Sequence, residues 1–208
     1  MLRLYARPYN PKEPVVVLDE RPVVLHDAAR AAPPLKPGTI RRADYEYVRR
    51  GTANIFCILE VLTGRRLTNA TKDRKRPAFA KALRKIARRY PHAKTIHLVN
   101  DNLNTHSEKS LVREFGRVEG GKLWRRFTIH FTPKHASWLN AAEMEVGLVS
   151  RECLGNRRIG DLETLQREVR AWTVEADRQR RSINWKFRVD DARRVFRYDG
   201  IKTKRAKH

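Results

Sequence analysis

Four consecutive apolar residues, Val15-Val16-Val17-Leu18, follow Pro14 without polar alternation. A strand over 14–18 turns apolar side chains to both faces and must be covered on both, as in a sheet flanked by helices. The next residue is an acid, Asp19. A second segment, Thr95-Ile96-His97-Leu98-Val99-Asn100, runs into Asp101, and a third acid ends Ser137-Trp138-Leu139-Asn140-Ala141-Ala142-Glu143. Elsewhere the chain is strongly basic, with 46 Lys and Arg against 23 Asp and Glu, a net charge of +23 over 208 residues. That imbalance asks for a polyanionic partner, and nucleic acid is the one expected. Carboxylates where a polyanion docks are tolerable when divalent cations stand between them.

The length suits one domain with a sizeable core. The chain has no apolar run near the roughly 20 residues that cross a bilayer, and its first ten residues do not read as a signal peptide. Cys57 and Cys153 are too few and too far apart for a disulfide scaffold or a cysteine zinc site, and are expected as buried thiols. Residues 65–94 hold twelve Lys or Arg and a single acid, Asp73. An anionic membrane is the weaker partner for this stretch, because its helix has an apolar face better spent on a core.

Residues 1–13 read as an extended lead-in, 14–200 as a single domain, and 201–208 as a basic tail. Val23 to Leu25 extend the first strand or begin a hairpin. Residues 26–51, with prolines, two Arg-Arg pairs and little periodicity, read as a long inserted connection. A hairpin is expected from strands over 54–62 and 66–71. Residues 77–90 form the clearest helix, with Phe79, Ala82, Leu83, Ile86, Ala87 and Tyr90 on one face and Lys81, Arg84, Lys85, Arg88 and Arg89 on the other. Then follow a strand over 94–100, a helix opened at Thr105 by a capping box with Glu108 and stopped near Gly116, and a strand over 127–131. Helices over 140–154 and 161–178, the latter capped by Asp161, and a helical or irregular segment over 183–197 complete the chain. The order predicts an α/β fold, a mixed central sheet flanked by helices.

Ligands of open α/β sheets gather at strand ends, where Asp19 and Asp101 both fall. If their strands are neighbours, the two carboxylates can share a metal. Magnesium takes oxygen ligands and keeps several waters, so two or three carboxylates with phosphate oxygens suffice. Two such ions can activate an attacking oxygen and stabilise a leaving one. Plain structural roles stand beside this reading: a strand end for Asp19, an Asx turn for Asp101, and a capping partner of Asn140 for Glu143. Glu20 should point to the opposite face of the strand from Asp19, and Glu145, about 200° round a helix from Glu143, cannot share its crevice. Gly147, on the face of Glu143, would let a backbone or a DNA strand come close.

The strings Val17-Leu18-Asp19-Glu20-Arg21-Pro22, Val99-Asn100-Asp101-Asn102-Leu103-Asn104-Thr105-His106 and Pro133-Lys134-His135-Ala136-Ser137-Trp138-Leu139-Asn140-Ala141-Ala142-Glu143 resemble the three catalytic blocks of DDE transposases, in the mariner-related bacterial insertion-sequence branch. The intervening Tyr45-Glu46-Tyr47-Val48-Arg49-Arg50-Gly51-Thr52-Ala53-Asn54 and Trp185-Lys186-Phe187 are similar to the same branch, so the resemblance spans roughly residues 5–197. It implies an RNase H-like fold, a catalytic and metal-binding triad of Asp19, Asp101 and Glu143, and two Mg²⁺ or Mn²⁺ ions. It also implies cleavage of a phosphodiester at an element's end and transfer of the freed 3′-hydroxyl to target DNA at a TA step. A homodimer pairing two ends, and a cytoplasmic location on the nucleoid, follow from that activity.

Two departures from the family pattern stand out. Relatives carry N-terminal helix-turn-helix modules, and none is read in this chain, which suits a fragment, a split product or a decayed copy. The 41 positions between Asp101 and Glu143 exceed the usual mariner-type spacing, and the 116–126 stretch with Gly120-Gly121 is where extra loop is expected.

Arg74, Lys75, Arg76, Lys81, Arg84, Lys85 and Arg88 are the candidate DNA-backbone contacts. His106 is expected to touch the scissile phosphate, to orient Asp101 or to serve structure alone. Lys134 and His135 would steer phosphate, and Trp138 and Asn140 would fix the helix carrying Glu143. The alternatives to a transposase are a stand-alone RNase H-like nuclease and a catalytically inactive or regulatory DNA-binding fragment.

Overall fold

The computed structural model describes residues 1–29, 46–133 and 136–196. Its strands are β1 (Val15–Ala28), β2 (Tyr47–Glu60), β3 (Asn69–Thr71), β4 (Ile96–Asn100) and β5 (Phe127–Phe131). They form one mixed sheet in the order β3-β2-β1-β4-β5, with β2 antiparallel to β1 and β3, and β4 parallel to β1 and β5. The helices are α1 (Leu2–Tyr5), α2 (Arg76–Arg89), α3 (Glu108–Phe115), α4 (Arg117–Trp124), α5 (Ala142–Leu148), α6 (Leu162–Gln179) and α7 (Val189–Phe196). A π-helical stretch, Val149–Leu154, continues α5.

The apolar run of β1 is covered on both faces. Val16 and Leu18, with Phe56, Ile58 and Leu98, pack on Phe79, Leu83 and Ile86 of α2 and Leu111 of α3. Val15 and Val17 turn the other way, to Tyr5 of α1 and to Ala141 and Ala142 at the start of α5. A third cluster sets Ile55 and Cys57 of β2 against Val149, Cys153, Leu165 and Val169. Full burial of side chains such as Phe79, Leu83 and Ile86 is worth roughly 1.5–3 kcal/mol each. Both cysteines are buried free thiols.

The strands over 127–131 and 94–100 and the helix over 77–90 lie within two residues of expectation. Asp161 caps α6 by accepting from the Thr164 amide at 2.7 Å. Elsewhere the structure corrects the reading. Residues 26–28 and 47–51 are strand, not connection: β1 and β2 form one long hairpin arm in which Ala28 pairs with Tyr47. Much of that arm is exposed, so backbone pairing rather than burial holds it, and it leaves no hydrophobic period to read. The register shifts between Leu25 and His26, where the β2 strand carries Gly51 at φ 119°, a conformation only glycine takes readily. Residues 30–45 of the inserted connection, and the tail 201–208, lie outside the described residues.

The returning strand shortens to β3, with a lone bridge between Leu59 and Arg66 ahead of it. The lead-in contains α1, whose Leu4 and Tyr5 are buried. The helix expected from Thr105 begins at Glu108 with no side-chain cap; the Thr105 carbonyl instead accepts from the Ser110 hydroxyl at 2.6 Å. The stretch expected to absorb extra loop is α4, which packs on α3 through Gly120. A Cβ there would come within 2.6 Å of the Leu111 main chain.

Candidate active site

Alternation along β1 decides which acid faces which helix. Asp19 follows Val17 towards α5, and Glu20 follows Leu18 towards α2 and α3. Asp19, expected at a strand end, lies inside β1, which runs on to Ala28; β1 and β4 are parallel neighbours, with Val15 opposite His97 and Val17 opposite Val99, so Asp19 comes level with Asp101 just past the end of β4. Asn140 brings the third acid to them. Its Nδ2 donates to the Leu18 carbonyl at 3.0 Å and to Asp19 Oδ2 at 3.3 Å, while its Oδ1 accepts from the Ala142 amide at 3.1 Å. One buried amide thus ties β1 at Leu18 and Asp19 to the first turn of α5, which carries exposed Glu143.

Glu145, two residues on, turns into the core and pairs with Arg66, both Oε atoms lying 3.1 Å from Nε. The side chains are 0% and 1% exposed. Arg66 also donates to the carbonyls of Gly64, Ala176 and Arg181, and its amide donates to Asp177 Oδ1. The node locks α5 to β2, α6 and the segment after α6. The helix that carries Glu143 is held by a charge pair that solvent cannot reach.

His106 is 2% exposed and sits behind the site, where phosphate cannot reach it. Its Nε2 lies 2.8 Å from Glu20 Oε1 and its ring stacks on Phe79 at 4.4 Å. The Nδ1 hydrogen is directed at the Asp101 carbonyl at 3.0 Å; Asp101 Oδ1 stands 2.7 Å from Nδ1, off that axis, and receives no hydrogen bond of its own. Burial alone would lower the pKa of His106, but Asp101 and Glu20 outweigh it and raise the pKa to about 9, so the ring is an imidazolium between two carboxylates. The geometry therefore sets the ring away from phosphate and fits both an orienting and a structural role. Sequence reasoning placed Glu20 on the correct face without foreseeing this partner.

Asp19 has the opposite balance. Burial first, then the charges of Glu20, Asp101 and Glu143, raise its pKa to about 6 against the favourable bond from the Glu20 amide. Among the described residues, Glu20, Asp101 and His106 bring donor atoms within 4.8 Å of one another. Asp19, Asp101 and Glu143 are spaced more widely than this. Their surroundings suit hard cations: three carboxylates, with His106 behind Asp101 but, among the described residues, no cation of the chain paired with Asp19 or Glu143.

The predicted DNA contacts separate in space. Strand register (Glu20 to Phe56 to Asn69, Pro22 to Asn54 to Thr71) carries β3 to the end of the sheet where Asp19 lies, and Arg74, Lys75 and Arg76 follow there. α2 then runs back for 14 residues, about 21 Å. It passes Phe79 against His106 and ends where Tyr90 donates to Glu60. Lys81 pairs with Glu114, Arg84 lies over the Phe115 ring, and Lys85 donates to Leu67 and Asn69. Arg88 stands at the far end of the helix. Lys134 and His135 lie outside the described residues.

A mixed sheet of this order, with one acid inside its first strand, one just past its fourth and one on the helix after its fifth, is an RNase H-like fold. Residues 14–166 match the family model of the DDE superfamily endonucleases, and the chain belongs to that family. Solved structures with the same fold include the Mos1 mariner paired-end complex with Mn (TM-score 0.54, 13% identity, 85% of this chain and 54% of that one). A pre-cleavage Mos1 transpososome (0.54, 12%, 85% and 53%) and the Mos1 paired-end complex with Mg (0.52, 13%, 86% and 53%) agree. The chain thus spans about half the length of these proteins. No curated protein matches the sequence.

Proposed function

We propose that the chain is the catalytic domain of a transposase of a mariner-related bacterial insertion sequence, cutting DNA at the element's ends and joining the freed 3′-hydroxyl to target DNA. The observation that carries this is the contrast among acids: Glu20 and Glu145 pair with cations of the chain, whereas Asp19 and Glu143 stand near Asp101 and pair with none among the described residues. Asp19, Asp101 and Glu143 would hold two Mg²⁺ or Mn²⁺ ions. When bound, these supply charge neutralisation for the nucleophile and the leaving oxygen of a phosphodiester. Asn140 sets the distance from Asp19 to the helix of Glu143, and His106 holds Asp101 in place. Arg74, Lys75 and Arg76 meet the phosphate backbone at the site end of the sheet, and Arg84 and Arg88 extend that contact along α2 without reading sequence. Pairing two element ends calls for a homodimer. The DNA partner puts the protein on the nucleoid.

Asp101→Asn tests this reading. We expect it to reduce Mg²⁺- or Mn²⁺-dependent nicking to background while DNA binding in EDTA stays within about twofold, because binding rests on phosphate contacts. Wild-type protein that never nicks DNA with either ion would leave the DNA-binding, catalytically inactive reading. Nicking without joining, when a cut end with a free 3′-hydroxyl is supplied, would select the stand-alone nuclease.

A further inference from the structure

A cleft of about 770 Å³ opens beside Glu143, between the α5 helix with its π-helical continuation and the irregular residues 181–187. Gly147 and Arg151 line one wall, and Asn184, Trp185, Lys186 and Phe187 line the other. The second wall is anchored: the Ile183 amide donates to the Val61 carbonyl at 2.8 Å, and the Trp185 ring lies 4.9 Å from Tyr5. Phe187 continues into a ring cluster, meeting Trp138 edge-on at 5.5 Å, with Phe196 against both. Trp138 is 40% exposed and lies on the turn that leads to Glu143.

Three further observations point to an occupant from outside the chain. Arg151 and Lys186 are exposed and have no acidic partner within salt-bridge distance among the described residues. Trp185 Nε1 is buried with no acceptor. Gly147 sits within a helix, where glycine is costlier than alanine, yet a Cβ there would meet nothing nearer than Arg151 Nη1 at 3.6 Å. Neither backbone nor internal packing asks for glycine, and its effect is to keep the wall beside Glu143 low.

We propose that this cleft binds unpaired DNA, the single strand running off the catalytic acids. The inference rests on the DNA-cutting reading of those acids. The volume lies in the range of pockets that enclose a small ligand, about 300–1,000 Å³, room for a nucleotide-sized group but not for a duplex. Aromatic rings interleaved with cations are the surface that takes bases by stacking and backbone by charge, and a duplex keeps its base faces hidden. The cleft is continuous with Glu143, so a strand engaged there is already at the place of cutting.

The test compares, in EDTA, the affinity of the whole protein for a blunt duplex and for the same duplex carrying a single-stranded thymidine tail. The tail should tighten wild-type binding about tenfold. Gly147→Leu and Lys186→Glu should each remove that gain while blunt-duplex affinity stays within about twofold. Gly147→Leu should not lower the thermal midpoint, since the added side chain enters open space. In wild type, 4-thiothymidine in the tail should cross-link to residues 181–187. A tail that adds no affinity, variants that weaken blunt and tailed duplexes alike, or adducts confined to α2 would each overturn the proposal. Because nothing here requires cutting, failure of the tail preference and failure of the Asp101→Asn nicking test are separate results.

Discussion

Glu143 and Glu145 leave α5 two residues apart, and Asp19 and Glu20 are adjacent on β1, yet each pair divides between two electrostatic regions. Glu145 and Glu20 turn into the packed interior, and each meets a cation the chain supplies: Arg66 for one, His106 for the other. Glu143 and Asp19 turn to the shared crevice, where their neighbours are other acids. A buried carboxylate with its own cation serves to hold elements in place. A group of carboxylates whose charge the chain leaves unopposed is destabilising until something outside supplies that charge. The difference separates the scaffold of this site from its working surface, although both use the same residue types within a few positions.

The sharpest way to break the comparison is to remove a scaffold cation. Arg66→Met strands the Glu145 charge and frees three carbonyls, and should cost about 3–5 kcal/mol of unfolding free energy by urea denaturation. Adding Glu145→Leu should recover most of that loss, since no unpaired charge is then buried.

A smaller effect is expected behind the strand ends. His106→Phe keeps a ring on Phe79 but leaves Glu20 unpartnered, at a cost of about 1–3 kcal/mol. The sign of its pH dependence follows from the raised pKa. The stabilisation by His106 is complete below its ordinary value of 6.5 and is lost as pH rises through about 9. The stability gap between wild type and variant, followed by thermal melting in EDTA, should therefore close across that window.

The smallest effect has the opposite sign. Asp19→Asn should stabilise the protein in EDTA by about 1 kcal/mol above pH 6, after allowance for solvent screening. The folded pKa of about 6 lies above the ordinary 3.8, so the penalty of the charged carboxylate is full above the higher value. It fades as pH falls towards the lower one, and the advantage of the variant should fade with it. Mg²⁺ or Mn²⁺ should raise the melting temperature of wild type and not of the variant. An Asp19→Asn protein no more stable than wild type would mean that the crevice acids do not strain the fold, and the division between scaffold and working surface would lose its basis.

Much of this was legible in the chain because local rules govern it. The unbroken apolar run before Asp19 implied a strand covered on both faces, and the three- and four-residue spacing from Phe79 to Tyr90 implied α2. Alternation and helical period together put Glu20 and Glu145 away from the crevice. What stayed hidden lacked a local signal. The outer hairpin arm is held by backbone pairing between exposed residues. The α4 helix holds Gly120 and Gly121 in its middle, a pair that reads as loop, and Gly120 is there to approach Leu111. Nothing in the sequence linked Arg66 to Glu145, 79 residues away, or His106 to Glu20, 86 residues away.

The sequence by itself determined the layered fold, the basic character and the order of the acids, because side-chain period and charge are properties of neighbouring residues. Only the tertiary structure decided which acids meet a cation of the chain and which meet other acids. That outcome depends on which distant cation is brought within reach of each carboxylate, and on how much water remains between them.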